Sequence, residues 1–297
     1  MPTTIIAAAT NTDTDTGSYF EHAARAAREC LERADIAPDR VGMLINAGVY
    51  RDSNIVEPAV AALVQQRIGM GLRYASGNVP SFSFDLMNGA GGVVHALAVV
   101  DSFFASDAID HALVIAGDTH PSTQFQVSDF PYTSTGAALL LARDGAAGGF
   151  GGLYTAEPDD PVEPLGLVPL SEVGTQGRST MVVRADAGDP LHWATSAVRA
   201  CITGESIPTA DFSAGSAVLL APEPVPGFAK LLAAALDLPS ESVLALPPEV
   251  GDPHTAAPIF GYTSAQGSFD TLRTVLFLTA DGSSAACLPY HPSTERP

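Results

Sequence analysis

Lysine is nearly absent from this chain. Its 297 residues hold 14 basic side chains against 33 acidic ones, for a formal net charge of −19, and Lys230 is the single lysine. A surface of that sign repels nucleic acid and anionic membranes, which excludes both as partners. Cysteine is scarce too. Cys30, Cys201 and Cys287 are odd in number and far apart. They form no disulfide framework and no metal-ligand spacing, and a reduced, cytoplasmic setting is the expectation. The first residues, Met1-Pro2-Thr3-Thr4-Ile5-Ile6, carry no basic region and no long apolar run, so neither a signal peptide nor a membrane span is expected. Several motifs are also missing. There is no G-x-G-x-x-G after a strand, no phosphate loop, no G-x-S-x-G and no H-E-x-x-H. The glycine-rich run at 148–152 has the wrong setting for a phosphate loop.

What is present is a core. Hydrophobic residues make up 46% of the chain and charged ones 16%, with 27 glycines and 23 prolines, which describes a loop-rich globular protein. Residues 5–9 read as a first strand. Residues 18–34 read as an amphipathic helix, with Phe20, Ala23, Ala24, Ala27 and Leu31 on one face. Ser18 is placed to cap it, with Glu21 completing a capping box. Strands at 41–49, 82–86, 111–116 and 136–142 alternate with helices at 57–68 and 90–104. The last of these is apolar almost all round and therefore buried between layers. The pattern predicts an α/β layered fold with a mostly parallel sheet. Residues 144–185, rich in Gly, Pro and acidic groups, read as a linker or capping excursion between an N-terminal half at 1–143 and a C-terminal half at 186–297. In that second half, helices are expected at 191–202, 228–236 and 255–265, and strands at 217–220, 242–246, 274–278 and 285–288. The halves echo each other: the run 112–118, ending Ala116-Gly117-Asp118, parallels 275–281, ending Thr279-Ala280-Asp281.

The stretch Phe84-Asp85-Leu86-Met87-Asn88-Gly89-Ala90-Gly91-Gly92 resembles the nucleophile elbow of the ketoacyl synthase III family, in the thiolase superfamily. The segments 23–49 and 57–65, the Gly251-Asp252 loop and Thr279 to Ser284 resemble further parts of that family, in the same order. The resemblance implies a five-layer α-β-α-β-α sandwich of two duplicated halves, acting as a homodimer or heterodimer. It also implies acyl-CoA or acyl carrier protein thioesters as substrates. Family members condense acyl groups with a Cys nucleophile and a His–Asn pair that stabilises an enolate. Aligned on this chain, the Cys position is Ala90, the His position is Pro222 or Glu223, and the Asn position is Asp252. Ala90 cannot attack a thioester, and an ionised Asp252 accepts hydrogen bonds only. The net acidity argues against docking of an acidic carrier protein. The short connection between the first strand and first helix, around Thr10 to Thr16, leaves coenzyme A docking open as well.

Three readings follow. The first is a non-condensing partner subunit of a Cys-containing ketosynthase III, in polyketide, fatty-acid-like or other secondary metabolism. The second is a Cys-independent acyltransferase, cyclase or hydrolase using the remodelled pocket. Its catalytic candidates are Asp252, His254 and Glu223, with His254 as a relocated base paired with Asp252 or Glu223. Asn88, Ala90, Gly282 and Ser283 would line the binding site. The third is a binder of an acyl thioester or metabolite. A pocket lined by relocated polar groups favours the second reading, and a filled or apolar one the first. Against these stand plainer roles: Asp85 as a backbone cap, His95 as a core or interface histidine, Asp118 and His120 as parts of a turn, and the cysteines as small packing residues.

Overall fold

The computed structural model describes residues 3–71, 81–143, 148–160, 163, 165–169, 171, 173, 177–184, 188–268 and 271–293. The first half runs β1 (Thr3–Asn11), α1 (Tyr19–Arg33), β2 (Met43–Asn46), α2 (Val60–Ile68), β3 (Phe82–Asp85), α3 (Gly92–Ala105), β4 (His111–Ala116) and β5 (Gly136–Arg143). Short strands follow: β6 (Gly149–Phe150), β7 (Tyr154–Ala156), β8 (Gly166–Leu167) and β9 (Val182–Val183). The second half comprises α4 (Pro190–Gly204), α5 (Thr209–Ser213), β10 (Ala217–Leu220), α6 (Phe228–Leu236), β11 (Val243–Leu244), α7 (Ala257–Ala265), β12 (Thr274–Ala280) and β13 (Ala285–His291).

The two main sheets share one topology. Their orders are β3-β2-β4-β5-β1 and β11-β10-β12-β13-β6. In each, three neighbouring strands run parallel and the fourth turns antiparallel. The sheets are therefore mixed rather than mostly parallel. In the second sheet the reason is visible at residues 281–284, a connection far too short for the crossover that a parallel neighbour needs.

Because the strands are buried on both faces, their side chains divide by parity. Met43 and Ile45, Ala112 and Val114, and Val275 and Phe277 point into a central layer that contains α3 and α7. Leu44, Leu113 and Ile115 meet α1 and α2 on the outer face of the first sheet. Leu276 and Leu278 meet α4 and α6 on the outer face of the second. Continuous apolar strands of this kind need a helical layer on each side, and five layers result: helix, sheet, helix, sheet, helix.

Local chemistry shifts some boundaries. Ser18 caps α1 through its hydroxyl, which accepts the Glu21 N–H, while the Glu21 carboxylate pairs with Arg25 at 3.0 Å. Helix α2 starts at Val60 rather than 57 because Asp85, at the end of β3, accepts the Val60 and Ala61 N–H groups at 2.8 Å each. The elbow is longer than a strand running straight into a helix. Asn88 to Ala90 make a turn with Gly89 at φ 50°, and α3 begins only at Gly92. The excursion is only partly a linker, since β6 and β7 pair with β13 and extend the second sheet. The β8–β9 ribbon lies beside the site described next.

Candidate active site

The ends of β4 and β12 occupy equivalent places in the two sheets, and each carries an aspartate. Asp118 follows β4 and has no solvent exposure. Its Oδ1 accepts the N–H groups of Val49 at 3.0 Å and Tyr50 at 2.7 Å. Its Oδ2 accepts the Thr255 N–H at 3.1 Å and the Thr255 hydroxyl at 2.6 Å. The same Oδ2 lies 3.0 Å from His254 Nδ1. A carboxylate accepting at this distance fixes the histidine tautomer, with the proton on Nδ1 and Nε2 left over.

His254 begins the turn that leads into α7. Its φ of 46° lies in the left-handed region, an uncommon conformation for a non-glycine residue and one that costs about 1–3 kcal/mol. Surrounding contacts hold it there. Its N–H donates to Asp252 Oδ1 at 2.8 Å, and its ring stacks on Tyr132 with centroids 4.0 Å apart and planes 16° apart. Its side chain is 10% exposed. Burial alone would lower the imidazole pKa, but the Asp118 carboxylate, with Asp252 and Asp281 behind it, outweighs burial and holds it above its ordinary value. Burial likewise pushes the Asp252 carboxyl above the usual carboxylate range, against the hydrogen bond from His254. Tyr50, in the same wall, is pushed up to about 12 by burial and by Asp118.

His254 and Asp281 border both of two cavities. The larger, about 570 Å³, is also lined by Tyr50, Asn88, Glu157, Asp159, Asp160 and Glu163. The smaller, about 190 Å³, is mostly apolar, with Ala90, Pro131, Tyr132, Pro222 and Ala257 in its wall beside Asp252 and Arg184.

Several expected residues are thus brought together and others are not. His254, Asp252 and Ala90 share the smaller cavity, and Asn88 and Ser283 share the larger with His254. The ring partner of His254 is Asp118, not Asp252 or Glu223. Asp252 is occupied by the His254 backbone. Glu223 lies outside both cavity linings; its Oε1 accepts the Gly227 N–H, and its Oε2 is buried with no partner among the described residues. Gly282 is absent from both linings. Its carbonyl accepts from Asp189 N–H and Trp193 Nε1 and so anchors the start of α4. The Ser283 hydroxyl and N–H both donate to Asp281. His95 Nδ1 lies 2.9 Å from the Gly91 carbonyl. His120 closes a turn with Ser122, and the three cysteines are buried. Asp118 is the residue that sequence reading assigned to a turn. The signal that could have found it is the echo between 112–118 and 275–281, which sets Asp118 and Asp281 on either side of one site.

Comparison with known proteins gives this arrangement a context. No protein-family model matches the chain. Beta-ketoacyl-[acyl-carrier-protein] synthase III of Rhizorhabdus wittichii is 31% identical over 131 residues, which is 41% of this chain and 37% of that protein. The enzyme of the same name from Alkalilimnicola ehrlichii is 37% identical over 97 residues, 33% of this chain and 27% of that protein. That of Lactococcus lactis is 30% identical over 169 residues, 57% of this chain and 45% of that protein. The chain thus spans less than half the length of these curated relatives. In structure, 3-oxoacyl-[acyl-carrier-protein] synthase III from Aquifex aeolicus superposes with a TM-score of 0.74 at 15% identity, covering 97% of this chain and 99% of that one. OleA from Xanthomonas campestris does so at 0.72 and 14%, covering 98% and 99%. A tetronic acid condensing enzyme scores 0.74 at 14%, covering 97% and 99%. The chain has the thiolase-like fold of these synthases and is similar in sequence to ketoacyl synthase III proteins.

Proposed function

We propose that this protein is a Cys-independent acyltransferase that works by general acid–base chemistry at His254. The observation that carries the reading is the 3.0 Å contact of His254 Nδ1 with the buried Asp118 carboxylate, which leaves Nε2 for the two cavities that His254 borders. An acyl thioester places its acyl group in the smaller, apolar cavity beside Ala90. An acceptor hydroxyl approaches from the larger one. His254 Nε2 takes the hydroxyl proton as the new C–O bond forms. The C–S bond then breaks and the same proton passes to the departing thiolate. Asn88, in the wall of the larger cavity, supplies an amide N–H to the oxyanion. No covalent enzyme intermediate is needed, so Ala90 is no obstacle. The thioester is an acyl-CoA or acyl carrier protein conjugate, and intramolecular attack by the acceptor would make the same site a cyclase.

The test is turnover of acyl thioesters by the wild type and by Asp118→Asn and His254→Gln. Loss of about 10²–10⁴-fold in both variants is expected. Wild-type rates in either one overturn the reading.

A second reading concerns assembly. Strand β3 ends its sheet, with β2 on one side only among the described strands. Near it Val56, Met87 and Phe82 are 65%, 46% and 37% exposed. Such an edge supports pairing with a second subunit, either another copy or a Cys-containing ketosynthase III. Native mass spectrometry of complexes isolated from the host tells the two apart, and a monomer at working concentration would count against both.

A further inference from the structure

Residues 130–133 run beside the turn that carries His254. The Thr133 N–H donates to the Asp252 carbonyl at 2.8 Å, and a Cβ added at Gly251 would come within 2.5 Å of the Thr133 hydroxyl. That close approach brings Tyr132 face to face with His254, with ring centroids 4.0 Å apart and planes 16° apart. Phe130 braces the Tyr132 ring edge-on at 5.5 Å and 86°, and braces Tyr50 in the same way at 5.7 Å and 90°. Tyr50 lies within 20° of parallel to Tyr132, and its hydroxyl accepts a hydrogen bond from the Tyr132 phenol. Three aromatic side chains thus fix one another, and the imidazole lies on the face of one of them.

The first effect is on position. The bond to Asp118 fixes one point of the imidazole, Nδ1, and leaves the ring plane free to tilt. A flat, braced face at 4.0 Å removes the tilt and gives Nε2 one direction. The second effect is on charge. An aromatic face is negative at its centre and attracts a cation within about 6 Å of the centroid, more strongly where water is excluded. The His254 side chain is 10% exposed, so the protonated ring gains this attraction and the neutral ring gains little. Other groups act on the same imidazole. The Asp118, Asp252 and Asp281 carboxylates favour its protonated form, and Tyr50 lies 5.7 Å away at 30°. Arg184, in the wall of the smaller cavity, is paired with Glu163 at 3.3 Å, while Glu157, Asp159 and Asp160 line the larger cavity. None of these charges changes when only the ring at position 132 is altered.

We propose that Tyr132 is a positioning residue of this site: its ring face aligns His254 Nε2 and stabilises the imidazole while it carries a proton. The effect on rate rests on the acid–base reading of His254, and the effect on the ring rests on the stack alone. During transfer, His254 holds the proton taken from the acceptor hydroxyl until that proton passes to the departing thiolate. The Tyr132 face favours the protonated ring over that interval. Tyr132 also lines the smaller cavity, so the same side chain borders the space for the acyl group and backs the base.

The test changes the ring face while nearly keeping its size. Tyr132→Phe, and the same phenylalanine carrying one or three ring fluorines, are placed in full-length protein whose histidines are labelled with nitrogen-15. Fluorine withdraws electron density from the face in steps. The His254 resonances are assigned by their loss in His254→Gln. The His254 titration midpoint is expected to stay near the wild-type value in Tyr132→Phe. It is expected to fall stepwise with fluorination, by about half to one pH unit with three fluorines. Tyr132→Leu removes the face altogether and is expected to lower the midpoint at least as far, and kcat by up to about 10²-fold. A midpoint that is the same across the fluorinated series overturns the proposal. So does a drop in Tyr132→Phe as large as that in Tyr132→Leu, which assigns the effect to the phenol hydroxyl. If Tyr132→Leu fails to fold, the fluorinated series decides. Rates measured in parallel separate the two readings. A stepwise midpoint without turnover of any acyl thioester overturns the acid–base reading and keeps the effect of the stack on the ring. Turnover whose pH inflection stays fixed across the series keeps the acid–base reading and overturns the role of Tyr132.

Discussion

Asp118 has no solvent exposure, yet every donor around its carboxylate is used: two from the β2 loop, two from Thr255 and one from the His254 ring. It positions His254 and also tunes it, because the carboxylate offsets the burial that would otherwise depress the imidazole. The pH profile carries the signature. A general base must be neutral, so the rate is expected to rise with pH through a pKa above the ordinary histidine value of about 6.5. In Asp118→Asn burial dominates, and the inflection is expected to move below that value while the maximum rate falls. A rate profile whose inflection is the same in both proteins would remove Asp118 from the mechanism. At Ala90 the expectation is negative. Ala90→Cys is expected to gain no condensing activity, because neither Pro222 nor Glu223, the two candidates for the family's histidine position, is a histidine, and Asp252 stands at the position the resemblance gives to the asparagine; a malonyl-thioester decarboxylation assay checks this.

Among the elements, α2 depends on a residue outside itself. Asp85 accepts its first two free N–H groups and also the Asn46 amide at 3.2 Å. Asp85→Ala is expected to cost about 1–2 kcal/mol, read as a lower urea midpoint with an unchanged slope. An unchanged midpoint would mean that water caps the helix equally well. Strand β5 depends on contact instead. An added Cβ at Gly136 would come within 2.3 Å of the His22 backbone on α1, closer than atoms pack. Gly136→Ala is expected to force α1 away from the sheet and lower Tm, while Gly69→Ala, which meets nothing within 4 Å but carries a positive φ, reports the backbone cost alone. Most strand and helix positions were legible from the sequence at this scale. The runs 111–116, 217–220 and 228–236 match the observed elements, since their apolar pattern and their bounding turns coincide. The starts of α2 and α3 were not, because a side chain from β3 and the turn at Asn88 to Ala90 set them, and neither is local to the helix.

For the whole molecule, His254 links the site to stability. Its folded pKa lies above its unfolded one, so the protonated ring favours the folded state. That contribution is complete below the unfolded value of about 6.5 and is lost as pH rises through the raised folded value. The Tm gap between wild type and His254→Gln is therefore expected to narrow on going from mildly acidic to alkaline buffer. A gap that widens would place the His254 pKa below its ordinary value.

The sequence by itself determined the layered duplicated fold, the alanine at position 90, the acidity of the excursion, and His254 as a candidate base. Each of these is written in periodicity, in order along the chain or in the identity of a single residue. Only the tertiary structure decided the partner of His254. Asp118 and His254 stand 136 residues apart, at the end of a strand in one half and at a turn leading into the other half. Many acidic residues were available to pair with that ring, and the choice among them is made when the two sheets close on the central helices. The same packing separates the apolar cavity beside Ala90 from the acidic one beside Asn88, a division that no local stretch of sequence encodes.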